Sequence, residues 1–110
     1  MNRMSDKKIK RAEREVKHFG KTIPSVGSLY KAKIIRSRRL NQYQRNLQNS
    51  LKHLDGKHLL FLEWSEKPRE EDRRSKIEGL RFLILDDSDY VWMEAWDYNR
   101  ENLIELTFVS

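Results

Sequence analysis

The sequence predicts an α+β domain: a five-stranded antiparallel sheet or small barrel, a basic amphipathic helix ahead of it, and a second helix inserted after the first strand. Three observations predict it. Apolar residues in two early segments recur at steps of three and four, whereas those beyond residue 57 alternate or run in short blocks. Pro24, Gly27, Gly56 and Pro68 fall between these segments as breakers. The chain has 110 residues, one domain of ordinary size with room for one core.

The first helix spans 5–19. Ser5 is placed to cap it and Asp6 suits the positive end of its dipole. Ile9, Ala12, Val16 and Phe19 make a narrow apolar stripe, Asp6/Lys10 and Glu13/Lys17 are favourable pairs one turn apart, and Gly20 stands where the helix should stop. Residues 21–28 read as a connector. A strand follows from Leu29 to Arg36, with Tyr30, Ala32 and Ile34 on one face and Lys31 and Lys33 on the other. Leu40, Tyr43, Leu47, Leu51 and Leu54 predict a second helix over about 41–54, ending at Asp55-Gly56. The rest is β: His58–Trp64, an exposed charged loop over 65–78, then Leu80–Asp86 and Tyr90–Asp97 joined by an Asp-rich hairpin turn. A polar turn over 97–102 and a last strand, Leu103–Val109, complete the chain. The order α-β-α-β-β-β-β is that of an SH3-like barrel or of an open antiparallel sheet covered by helices. The expected core is Ile34, Leu60, Leu62, Leu83, Val91, Met93 and Leu106. One domain, 1–110, is expected, divided into a basic helical arm (1–21) and a β-rich core (29–109).

Absence of cysteine excludes disulfides, thiolate metal sites and a cysteine nucleophile. The longest apolar runs, such as Leu59–Leu62, are four residues, far short of the roughly 20 that cross a bilayer. Met1–Lys8 is charged with no apolar stretch behind it, unlike a secretory leader, so a cytoplasmic location and no membrane association are expected.

Charge is distributed unevenly. Residues 1–40 carry 13 Lys/Arg against 3 Asp/Glu, residues 41–75 carry 7 against 6, and residues 76–110 carry 3 against 8. A one-sided field selects which partner arrives and where it docks. The basic third predicts phosphate contacts without sequence readout, from Lys7, Lys8, Lys10, Arg11, Arg14, Lys17, Lys21, Lys31, Lys33, Arg36, Arg38 and Arg39. The expected partner is nucleic acid or a nucleoprotein complex; the plainer explanation is a solvated helix face that keeps the protein soluble.

On the expected strand 90–98, Tyr90, Trp92, Glu94, Trp96 and Tyr98 would share a face. A covering helix is the plain explanation. The alternative is a platform, and the nearby Asp86, Asp87, Asp89, Asp97, Glu101 and Glu105 would make it repel phosphate and suit a basic protein segment. Tyr90, Trp92, Trp96 and Tyr98 are thus the candidate protein-partner residues, and a binding module or accessory subunit is the rival reading.

Catalytic signals are weak. His53 and His58 are five residues apart, not the helical spacing of a zinc pair, and the acids at 70–72 are interleaved with arginines. No glycine-rich phosphate loop is present. No metal, cofactor or catalytic residue is assigned, and a metal-independent ribonuclease is the least favoured reading.

Overall fold

Ser5 starts the first helix as its spacing requires. In a computed structural model, which describes residues 1–37 and 39–110, a two-residue strand β1 (Asn2–Arg3) leads into α1 (Asp6–His18). The extended Ser5 accepts the Lys8 N–H at 3.4 Å, and Gly20, at φ 68°, ends the helix with its N–H on the Lys17 carbonyl. Strand β2 (Leu29–Ile34) follows the connector. Helix α2 (Gln42–Leu51) opens on a capping box in which Asn41 and Gln44 satisfy each other's backbone N–H, then tightens into a 3₁₀ turn at Lys52–Leu54.

Strands β3 (His58–Pro68), β4 (Lys76–Ile84) and β5 (Asp89–Glu94) form a meander. A π-helical turn (Asp97–Glu101) then leads to β6 (Ile104–Phe108). The sheet is antiparallel, in the order β5-β4-β3-β2-β6. The long β3 serves two partners on one side: β2 near its start (Leu29 opposite Leu60) and β1 near its end (Arg3 opposite Ser65), with a bulge between Phe61 and Glu63. β5 and β6 end the order unjoined, so this is an open sheet of six strands, one more than expected because of β1. The β6 edge is not left bare. Lys21 Nζ and Thr22 Oγ1 donate to the Ile104 and Leu106 carbonyls, which blunts that edge as a template for pairing.

The core lies on one face of the sheet. Tyr30, Ala32, Ile34, Leu59, Phe61, Trp64, Leu80, Phe82, Ile84, Met93, Ile104 and Leu106 are buried there, joined by Ala12 and Val16 of α1, by Leu51 of α2 and by Leu54 of the 3₁₀ turn. Ile34, Met93 and Leu106 were expected. Leu60, Leu62, Leu83 and Val91 are only half-buried. The run Leu59–Leu62 is apolar at both parities, so alternation could not say which set faces inward, and the bulge shifts the register after Phe61.

Three further expectations change. The exposed loop is not 65–78: Ser65–Pro68 extends β3, β4 begins at Lys76, and only 69–75 connects them. Glu66 and Glu78, which made this stretch look solvated, are paired across the two strands and turned toward cations of α1. The strand expected over 90–97 ends at Glu94, so Trp96 and Tyr98 lie beyond it and no four-aromatic face exists. The strand from Leu29 stops at Ile34, before Arg36. Among the described residues, no helix is long and apolar enough to cross a membrane.

Candidate functional site

Helix α1 has three sides, and they do different work. Ile9, Ala12 and Val16 enter the core. Lys8, Arg11 and Glu15, at i, i+3 and i+7, pair with Glu66 (2.9 Å), Glu78 (2.5 Å) and Arg100 (3.7 Å) of the β-rich part. Lys7, Lys10, Arg14 and Lys17, again one helical face at steps of three and four, are exposed, and among the described residues none of them has an ion-pair partner. From Lys7 to Lys17 this stripe runs about 15 Å along the helix axis. Because the other two sides are held, the stripe is presented on a fixed rod, and binding a polyanion need not order it first.

Glu13 flanks the stripe on the side toward Ile9, and the expected Glu13/Lys17 pair does not form among the described contacts. Lys10, Glu13, Arg14 and Lys17 border a shallow trough of about 410 Å³ closed on the far side by Ile23 of the connector. On the other side of Glu13 a second hollow, about 500 Å³, lies between α1, residues 24–26 and the β3 bulge, with Trp64 among its lining. The Trp64 indole N–H is buried with no acceptor among the described residues.

Among the described residues, the remaining predicted cations do not join the stripe. Lys21 is half-buried: its Nζ bonds Asn102 Oδ1 and the Ile104 carbonyl and lies 5.0 Å from the Tyr98 ring centre. Burial lowers its pKa, opposed by the charge of Glu105. Lys31 and Lys33 project from the outer sheet face, opposite Thr107 and Glu105 of β6. Arg36 and Arg39 are exposed after β2, Arg36 beside Gln48, Lys52 and Asp55. Arg38 lies outside the described residues.

The four aromatics are equally dispersed. Tyr98 is completely buried, its O–H donating to the Thr22 carbonyl at 2.6 Å. Trp92 lies flat over Gly79, donates from Nε1 to Ser65 Oγ at 3.1 Å, and carries Lys67 Nζ 4.1 Å from its ring centre. Tyr90 is 56% exposed on the same outer face with Arg81 stacked on it. Trp96 is 53% exposed, and the Arg100 guanidinium is held between it and Phe19, at 4.2 and 4.7 Å. Trp96 walls a cleft of about 210 Å³ with Glu94, Arg69, Lys76 and Asn99, whose buried Oδ1 meets no donor among the described residues.

The π-helical turn gathers acids. Asp97 is buried and accepts the Tyr43 O–H at 2.5 Å. Burial pushes its carboxyl up, the Tyr43 hydrogen bond opposes this and the charge of Glu101 adds to it. Glu94 is likewise raised by burial and by Asp97, against Arg69 and Lys67. Burial and Asp97 push the Tyr43 phenol up in turn. Among the described residues, no three potential ligands converge as a metal centre.

Fold and site together define a class: an open antiparallel α+β protein that presents a cationic helix face pinned by ion pairs. Comparison with protein-family models, curated proteins and solved structures finds no match for the chain.

Proposed function

We propose that the protein is a small nucleic-acid-binding or nucleoprotein-associated protein that grips the phosphate backbone without reading sequence. The observation that carries this reading is the stripe Lys7, Lys10, Arg14 and Lys17: four exposed cations, without an ion-pair partner among the described residues, on one face of a helix docked by its other two sides. Arranged phosphates can displace their condensed counterions onto such a face, and the release of those ions drives binding. Lys8, Arg11 and Lys21 are engaged internally and add little. The meander β2–β5, with the helical turn before β6 and the return of β6 to β2, supports an SH3-like strand path whose outer edges stay apart. A reducing, cytoplasmic setting suits a cysteine-free chain of this kind.

Replacing the four stripe residues by Gln tests the reading. Affinity for a mixed-sequence oligonucleotide at low salt should fall by at least about tenfold, equally for different sequences, with the circular dichroism spectrum unchanged. Lys31→Gln with Lys33→Gln, on the outer sheet face, should change affinity much less. Equal loss in both variants would remove the stripe as the site.

A protein-partner reading has one observation in its favour: Trp96 stays more than half exposed beside its cleft. Tryptophan and arginine dominate interface hot spots, and here Arg100 stacks on Trp96. On this reading Trp96→Ala abolishes a nuclease-resistant association that the four-Gln variant keeps.

A further inference from the structure

The two edges of the sheet are finished differently. On β6, Lys21 and Thr22 occupy the Ile104 and Leu106 carbonyls. On β5, the direction of the backbone groups follows from β4. The Leu85 N–H bonds the His58 carbonyl of β3, and backbone groups alternate sides along a strand. Arg81 and Leu83 therefore bond toward β3, while Leu80, Phe82 and Ile84 bond toward β5. Their partners Met93, Val91 and Asp89 bond inward, and Tyr90, Trp92 and Glu94 turn N–H and C=O to the outside. Among the described residues, the one group that meets these is Asp89 Oδ1, which accepts the Tyr90 N–H at 2.8 Å. β5 has no proline, lysine or bulge, the devices that guard an edge against pairing. The Trp92 ring is drawn back over Gly79 and leaves the edge clear.

The ends of this edge carry opposite charge. Residues 86–89, where β5 begins, hold three acids and no cation. Residues 67–76, which bring Arg69 and Lys76 beside Glu94 at its other end, hold five cations against three acids. An antiparallel copy sets each acidic end against a basic one; a parallel neighbour sets like against like.

We propose that the protein pairs with a second copy of itself along β5, antiparallel about a two-fold axis at Trp92. Tyr90 then exchanges backbone bonds with the partner's Glu94, which releases the Asp89 carboxylate toward the partner's cations. Val91 lies opposite the partner's Met93, apolar against apolar. A register shifted by two would instead set Asp89 against the partner's Met93. The axis stands perpendicular to the sheet, so both α1 helices lie on the same side of one continuous sheet. Pairing along β5 is independent of nucleic-acid binding by α1.

Sedimentation equilibrium and amide hydrogen exchange, both followed from about 10 µM to about 1 mM protein, test it, because a six-residue edge is a small contact and associates weakly. The mean mass should rise from 13.4 kDa toward twice that value and no further. Over the same range the Trp92 and Glu94 amides should slow by about tenfold, while the Met93 amide, already bonded inward, changes little. Asp89→Lys, an exposed position, should weaken association by about fivefold or more at low salt with an unchanged circular dichroism spectrum. A protein that stays monomeric, or one that grows past the dimer, overturns the proposal. So does a doubled mass with the Trp92 and Glu94 amides still exchanging freely, which would put the contact elsewhere. Asp89→Lys associating as tightly as the wild type, or those amides being protected only by an added extended peptide of Val and Thr, does the same.

Discussion

Gly79 and Trp92 act as one unit. A Cβ at position 79 would meet the Trp92 ring at 2.3 Å and the Met93 carbonyl oxygen at 2.6 Å, so the indole lies flat on the sheet because no side chain stands beneath it. The carbonyl is backbone and cannot swing aside, so Gly79→Ala should destabilise by about 1–3 kcal/mol, as overpacking does. Urea denaturation reads this, and an unchanged midpoint would show that the ring moves freely. Asp97 gives a second prediction at this scale. Its ordinary pKa is 3.8 and burial raises it, so the folded form holds the proton at a pH where the unfolded chain has released it. Stability from this group is complete below the ordinary carboxylate range and is lost as pH rises through the raised value. Asp97→Asn can still accept the Tyr43 O–H but cannot ionise. Between about pH 4 and 7 its stability should therefore decline less with pH than the wild type's, as measured by urea midpoints at each pH. Parallel pH profiles would contradict the burial assigned to Asp97. The aromatic positions also show where residue-level reading stops. A two-residue alternation from Tyr90 to Tyr98 reads as one strand, and nothing local signals that the backbone turns helical after Glu94 and sends Tyr98 inward.

At the scale of elements, the docking of α1 separates the cations into free and engaged. Charge counting treats Lys7, Lys8, Lys10 and Arg11 alike, because Glu66 and Glu78, the partners of Lys8 and Arg11, lie more than fifty residues away. Helix periodicity did locate the apolar stripe Ile9, Ala12 and Val16 that docks α1, and the Ser5 cap and Gly20 stop were visible too, since caps are local chemistry. The β3–β4 connection was misread for the converse reason: Ser65, Glu66 and Lys67 look like loop residues unless the facing helix is known. The Arg100 side chain is the clearest test of this docking. It joins Glu15 of α1 to Phe19 and Trp96, contacts that each contribute modestly because they are partly solvated. Arg100→Ala should lower stability by about 1 kcal/mol and make Trp96 more accessible to acrylamide. The same substitution without a change in quenching would mean that the guanidinium does not cover the indole.

For the whole molecule, fold class was legible because periodicity, breakers and length all agree on it. Barrel closure was not, since whether β5 meets β6 depends on sheet curvature rather than on any local pattern. The candidate site was legible in sign but not in extent. Twelve cations were nominated, and among the described residues only four, all on α1, share one face without ion-pair partners. Glu13 and Ile23 were missed because the connector folds back on α1 and closes the trough beside the cations. Contact number is what separates the two pictures. The most direct measurement is the slope of log affinity against log salt concentration for the wild-type protein on DNA. Four phosphate contacts give a slope of about −2.8 on a single strand and about −3.6 on a duplex. No binding at low salt, or a slope steeper than about −6, which would need contacts well beyond the stripe, would contradict the account.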